Sequence, residues 1–309
     1  MIYILGGAKT GYNLYKKLQS CAIDCELYYF QDEYASKKKQ GKPIECFFNK
    51  DIKTIELKNI FLTSEKAFVN TKSVLQDNFP NHFYLRDKLN LPAISKKIKT
   101  NFIQEFDLND YQFPIAAKPK ESSSGKVDFK FKKINNQTEL DSIMPVIEHV
   151  ILQPYLEETD YDQVAIAGYF DSSSNSLIAV TQIAHYPKGI SAYVIDQTNK
   201  FQDTIKQITQ FLNEINYRGF IEFEFKYNSQ NGELFVMDIN PRPWGWFYYY
   251  LSAVKNLKEV LTENKNIDLS LKKAWVNPPR LAMANLKGEM KYPNIKDVLS
   301  NSICYEPMF

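Results

Sequence analysis

Between residues 222 and 242 the sequence sets out three carboxylates, an amide and a guanidinium at a spacing suited to a metal and a phosphate. The stretch Gly219-Phe220-Ile221-Glu222-Phe223-Glu224-Phe225-Lys226 alternates apolar and acidic residues. In a strand that alternation puts Glu222 and Glu224 on one face, so either could serve as the first carboxylate of a site. Tyr227 to Gly232 is rich in turn formers and ends in Asn231-Gly232, a strong hairpin signal. The return run Leu234 to Asn240 brings Asp238 and Asn240, again two apart, and Arg242 follows. Hard oxygen donors of this kind suit Mg²⁺, which takes one or two carboxylates and completes its sphere with substrate phosphates. Acids on an alternating strand also arise where one face simply meets water. An acid, an amide and an arginine closing a run as apolar as Leu234 to Met237 are different, because they are costly to bury without partners.

The elements that must position this hairpin read as follows. Ile2 to Leu5 is a strand running into Gly6-Gly7-Ala8-Lys9-Thr10-Gly11, with a helix behind it and a second strand over Cys25 to Phe30. This is a βαβ opening of the kind found in nucleotide-binding sheets. Gly6, Gly7 and Gly11 do not make the dinucleotide spacing, so they read as turn glycines; an NAD site there is the outlying alternative. A third strand is expected at Asn59 to Thr63 and a helix at Glu65 to Gln76. The character changes near residues 80–90, which places a domain boundary there. Beyond it, Ile115 to Pro119 reads as a buried strand carrying Lys118, Ser122 to Lys126 as a small-residue loop, and Asp128 to Lys132 as a strand. Asn136 to Glu148 reads as a helix and His149 to Leu156 as a strand meeting a linker. Strands over Gln163 to Phe170 and Leu177 to His185, then a helix over Phe201 to Ile215, lead into the acidic hairpin.

Length and composition set the bounds. A chain of 309 residues with 44% hydrophobic and 24% charged residues has ample material for about two domains. A net charge of +2 gives no argument for nucleic acid or an anionic membrane as partner. Cys21, Cys25, Cys46 and Cys304 make no metal-ligand pattern with the three histidines and read as small buried thiols. No stretch resembles a signal peptide, and no apolar run approaches a membrane span, so a cytoplasmic location is expected. A homodimer is the default oligomer.

In this order the segments resemble the ATP-grasp superfamily, the ligases that activate a carboxylate as an acyl phosphate. The resemblance covers roughly residues 80–255, and Asp238-Ile239-Asn240-Pro241-Arg242 is close to that family's Glu-x-Asn-Pro-Arg. It implies an α/β and α+β chain. Residues 1–85 would form a Rossmann-like pre-ATP-grasp domain. Residues 86–309 would form the ATP-grasp domain, two α+β subdomains clasping the nucleotide, with a lid at about 112–155. Residue by residue, it implies Lys88 and Lys118 as nucleotide lysines and Ser123, Ser124 and Gly125 as the loop over the phosphates. Gln153, Pro154, Tyr155 and Leu156 would be the hinge holding adenine, and Asp160 or Asp162 the ribose acceptor. Glu224, Asp238 and Asn240 would be metal ligands, and Arg242, with Lys118, the catalytic cations. ATP and Mg²⁺, with Mn²⁺ as the alternative ion, are the implied cofactors. The implied activity is ATP-dependent carboxylate–amine ligation, releasing ADP and phosphate, on small acids and amines such as amino acids, peptides or carboxylated sugars. Asp238 stands where the family has glutamate, and Thr181 to Gly189 offers only His185 and Lys188 as basic residues near the transferred phosphate. That departure motivates the alternative, an ATP-binding regulatory or scaffold protein with weak or no turnover.

Overall fold

The computed structural model describes residues 1–31, 40–106, 111–120, 126–129, 131–187, 189–263, 265–288 and 303–305. The Ser123-Ser124-Gly125 loop and Lys188 lie outside the described residues.

The β-branched and aromatic start folds as anticipated. Strand β1 (Ile2–Leu5) is central in a four-stranded parallel sheet with β2 (Cys25–Tyr29), β3 (Lys42–Pro43) and β4 (Ile60–Leu62), in the order β3-β2-β1-β4. The Lys9–Ser20 and Glu65–Leu75 helices follow β1 and β4. The glycine turn after β1 is packed on its own protein. Gly6 has φ of +120°, and a Cβ there would meet Ser64 Oγ at 2.7 Å and Thr63 Oγ1 at 2.8 Å. A Cβ at Gly11 would strike the Gly6 carbonyl. Here glycine lets two turns approach, and the Thr63 and Ser64 side chains occupy the space beside it.

A large mixed sheet follows. It takes β5 (Asn101–Phe102), β9 (Tyr161–Asp171), the short β10 (Ser174–Asn175), β11 (Ile178–His185), β12 (Ser191–Asp196), β13 (Gly219–Asn228), β14 (Leu234–Asn240), β15 (Ala274–Val276) and β16 (Ile303–Tyr305). Its path is β16-β15-β12-β11-β9-β13-β14-β5, with β10 paired to β9. One face carries Val164, Ile166, Phe223 and Phe225 and is covered by the amphipathic Gln202–Glu214 helix. The other face carries the acids. Ala167 and Ala165 of β9 stand opposite Glu222 and Glu224 and are fully buried. Farther along this face Phe220, Trp244, Phe247 and Tyr250 build a core that also takes in Ile2, Ile4, Leu14 and Leu18 of the first sheet.

Between β5 and β9 in sequence, β6 (Ile115–Pro119), β7 (Lys132–Ile134) and β8 (Val150–Pro154) form a small antiparallel sheet ordered β7-β6-β8. Ile115, Ala117, Val150 and Leu152 face its own core, so the alternate residues Lys118 and Gln153 share the opposite face. Two expectations need correction here. The strand expected at Asp128 to Lys132 is Lys132–Ile134. The expected helix over Asn136 to Glu148 is a short helix, Gln137–Asp141, and then a 3₁₀ turn, Met144–His149. Pro145 lacks the N–H that a continuing α-helix would need, so the helix stops short of it.

Candidate active site

The hairpin forms as the alternation requires. Glu224 stands opposite Asp238 and Glu222 opposite Asn240, with a β-bulge immediately after Glu224. The turn closes at Gly232, whose φ of +79° belongs to the left-handed region. Glu222 is 4% exposed and Asn240 8%. The Asn240 amide nitrogen donates to Glu222 Oε2 and Glu224 Oε1, both at 3.2 Å, while its oxygen accepts from Arg242 Nη2 at 3.0 Å. Asn240 thus ties two carboxylates to the guanidinium. Burial raises the Glu222 carboxyl well above the ordinary range, and the charge of Glu224 adds to it. Glu224 is raised by burial and then by Asp238, against the pull of Arg242. Crowded acids of this kind are electrostatically short of a cation.

Among the described residues no three His, Cys, Asp or Glu side chains converge as a metal cage. The donor set is instead two facing carboxylates and an amide, which fits a Mg²⁺ ion sharing its sphere with phosphate oxygens. Glu224 and Asp238 could hold such an ion, and Asn240 could join them once its amide turns its oxygen inward.

The lysines come from two other elements. Lys88, in the turn after the Pro80–Arg86 helix, has Nζ 3.7 Å from Asp238 Oδ2. Lys118 projects from β6 on the face opposite that sheet's core. Its Nζ lies 3.4 Å from Gln153 Oε1, whose own amide donates to the Ile103 carbonyl at 2.6 Å. Burial pushes the Lys118 ammonium down to about 8, with Lys88 adding to the fall and Asp238 and Glu224 opposing it. Gln153 is therefore placed to orient Lys118. Pro154 ends β8, and the Tyr155 N–H donates to the Pro114 carbonyl at 3.2 Å. The Tyr155 ring lies under Lys133 Nζ, 4.1 Å from the centroid, and Lys133 also pairs with Glu157 at 2.8 Å. Leu156 is half-buried in the same linker; Asp160 is exposed on the following turn, and Asp162 is half-buried at the start of β9.

Three residues escaped the sequence reading. Glu65, at the start of the Glu65–Leu75 helix, accepts from Arg242 Nε at 2.9 Å and from Arg86 Nε at 3.0 Å. Burial alone would raise its carboxyl; Arg242 and Arg86 outweigh that and hold it below the ordinary value. Arg86 is the second. Lys226 is the third: it continues the Glu222, Glu224 alternation on β13, and its charge bears on both Lys118 and His185. Period-two spacing could have found Lys226, whereas nothing local marks Glu65. His185 is pushed down to about 4 by burial and then by Lys226, so it is neutral near pH 7. It sits with Ser191 on the Gln182 side-chain oxygen. Among the described residues, the charge felt at this end of the site is thus that of Lys226 rather than of the neutral His185. A cavity of about 490 Å³ opens beside Asp238 and Asn240, walled by Glu65, Arg86, Lys88 and Lys120.

No family model matches the chain. A D-aspartate ligase of Enterococcus faecium (strain Aus0004) is 26% identical over 175 residues, a match spanning 50% of this chain and 40% of that relative's length. Among solved structures, the N5-carboxyaminoimidazole ribonucleotide synthetase of Thermus thermophilus superimposes with a TM-score of 0.65 at 13% identity, over 90% of this chain and 83% of that one. The Staphylococcus aureus N5-carboxyaminoimidazole synthetase complexed with ADP gives 0.61 at 16% identity, over 88% and 80%. The fold is the ATP-grasp fold, with a Rossmann-like sheet leading the chain.

Proposed function

We propose that the chain is an ATP-dependent carboxylate–amine ligase, with residues 1–85 as the leading domain, residues 86–309 as the ATP-grasp domain and the small sheet as its lid. The observation that carries the reading is that Lys88 pairs with Asp238 and Arg242 with Asn240 on the acidic hairpin, where Asp238 also faces Glu224, while the charge of Lys118 on the small sheet interacts with Asp238 and Glu224. Nucleotide would lie between the Lys118 face of the small sheet and this hairpin, with Gln153 to Leu156 along the base. Lys88 and Lys118 would supply charge to the phosphates, and Glu224, Asp238 and Asn240 would hold Mg²⁺, whose chemistry there would be to neutralise phosphate charge. Arg242 presents N–H donors to the transferred phosphoryl group. A substrate carboxylate oxygen attacks the γ-phosphorus and the bond to the β-phosphate oxygen breaks, releasing ADP. The amine then attacks the acyl carbon, loses a proton and expels phosphate, leaving an amide.

Acid and amine are small molecules in this reading. The likeness to a D-aspartate ligase supports an amino acid as one of them. The four cysteines are free, but Cys21, Cys25 and Cys304 are half-buried and Cys46 is exposed, where burial was expected. A cytoplasmic site, where ATP is plentiful, belongs to the same reading, and no helix among the described residues is long and apolar enough to cross a membrane. The test is ADP release from Mg·ATP with pooled acids and amines, beside Asp238→Ala. Substrate-dependent ADP that disappears in the variant supports the reading, and a chain that binds no Mg·ATP refutes it.

A further inference from the structure

Glu65 leaves a corner that is held on every side. Thr63 Oγ1 donates to the Leu5 and Gly6 carbonyls at 3.1 and 2.9 Å, and Thr10 Oγ1 donates to the Thr63 carbonyl at 2.9 Å. Ser64 caps the helix by accepting from the Ala67 N–H at 3.1 Å. From this corner the two oxygens of one carboxylate reach different elements. Oε1 takes Arg242 Nε at 2.9 Å, and Oε2 takes Arg86 Nε and Nη2, each at 3.0 Å.

Both arginines lead back to the hairpin. Arg242 continues through Asn240 to Glu222 and Glu224. Arg86 ends its helix two residues before Lys88, in a turn pinned by the Leu89 N–H to Asp87 at 3.0 Å, and Lys88 reaches Asp238. The path Glu65–Arg242–Asn240 and the path Glu65–Arg86–Lys88–Asp238 therefore meet on β14 and close a ring. We propose that Glu65 is a positioning residue that sets Arg242, and through Arg86 the Lys88 turn, in register across the site. What those two cations then do rests on the ligase reading above. Without the Glu65 charge, Glu222 and Asp238 are the carboxylates left acting most strongly on the Arg242 guanidinium. Arg242 would then turn from the phosphoryl position towards Glu222 and towards Asp238, which would hold the metal.

The chain has four arginines, Arg86, Arg218, Arg242 and Arg280, so an ¹⁵N-arginine spectrum is simple enough to read directly. Arg86→Lys and Arg242→Lys assign two of its Nε–H signals. In Glu65→Gln those two should shift and exchange with water at least tenfold faster, with Arg218 and Arg280 unmoved. In the same variant, inorganic phosphate should bind the Mg·ADP form at least tenfold more weakly, whereas Mg·ADP itself changes by less than a few fold. Glu65→Asp, which keeps the charge on a shorter arm, should recover part of both effects, and it reads the same signals if Glu65→Gln fails to fold. Unchanged Arg86 and Arg242 signals in either folded variant overturn the proposal. A wild-type chain that binds no Mg·ADP would instead refute the ligase reading, while the arginine spectra would still decide the role of Glu65.

Discussion

Lys118 Nζ lies 3.4 Å from Gln153 Oε1 across two adjacent strands of the small sheet, on the face turned away from that sheet's core. Partial burial and the charge of Lys88 push the ammonium down to about 8 from the usual lysine value. Its charge is therefore present below pH 8 and lost above it. Nucleotide phosphates favour the protonated form, so binding near pH 9 draws a proton onto Lys118. Calorimetry of Mg·ATP binding in buffers of different ionisation enthalpy should show proton uptake at pH 9 and almost none at pH 7. Lys118→Met should abolish the difference.

Asp238 faces two tasks, opposing Glu224 across the hairpin and pairing with Lys88. Asp238→Asn keeps the shape and removes the charge. Its Mg²⁺ requirement should rise by at least about tenfold, since loss of a group that merely supports a metal ligand already costs about that much. Titrating Mg²⁺, or Mn²⁺ by electron paramagnetic resonance, reads this directly.

Arg242 donates through Nε, Nη1 and Nη2 to Glu65, Pro243 and Asn240. A lysine cannot reproduce that fork. Arg242→Lys should cut turnover by about 10²–10³, the range for loss of a donor aimed at developing charge. Mg·ATP affinity should stay within a few fold, as rapid-quench and equilibrium binding would show.

Phe220 joins the sheets. Its ring packs 5.3 Å from Phe61 of the first sheet, 5.3 Å from Tyr169 and 4.9 Å from Phe247. Phe220→Ala should lower stability by about 3–5 kcal/mol, measured by urea unfolding. The same change in Phe225, on the other face of β13, should leave the contact with the first sheet intact.

Much of this arrangement is written in local pattern. Period-two alternation placed Glu222 and Glu224 on one face, and the apolar runs located β1, β2, β4, β9, β11, β13 and β14 to within a residue or two, whereas β3, β5, β10, β12, β15 and β16, most of them very short, went unread. Short-range pattern failed where a single residue interrupts it. Pro145 ended a helix that the surrounding sequence would extend, and Lys132–Ile134 is a strand too short to alternate visibly. Glu65 was illegible for a different reason. Its partner Arg242 is 177 residues away, and only the packing of the first sheet on the second brings them together. A lone acid in the first turn of a helix otherwise reads as ordinary dipole compensation.

The central claim is that ATP activates a carboxylate at this hairpin. The most direct measurement supplies Mg·ATP, pooled amines and pooled acids carrying ¹⁸O in their carboxylates, and follows the isotope into released phosphate. The account predicts phosphate bearing one ¹⁸O atom, formed only when acid and amine are present and absent with Asp238→Ala. Phosphate released without label would mean that water, and not a carboxylate, takes the phosphoryl group, and would contradict it.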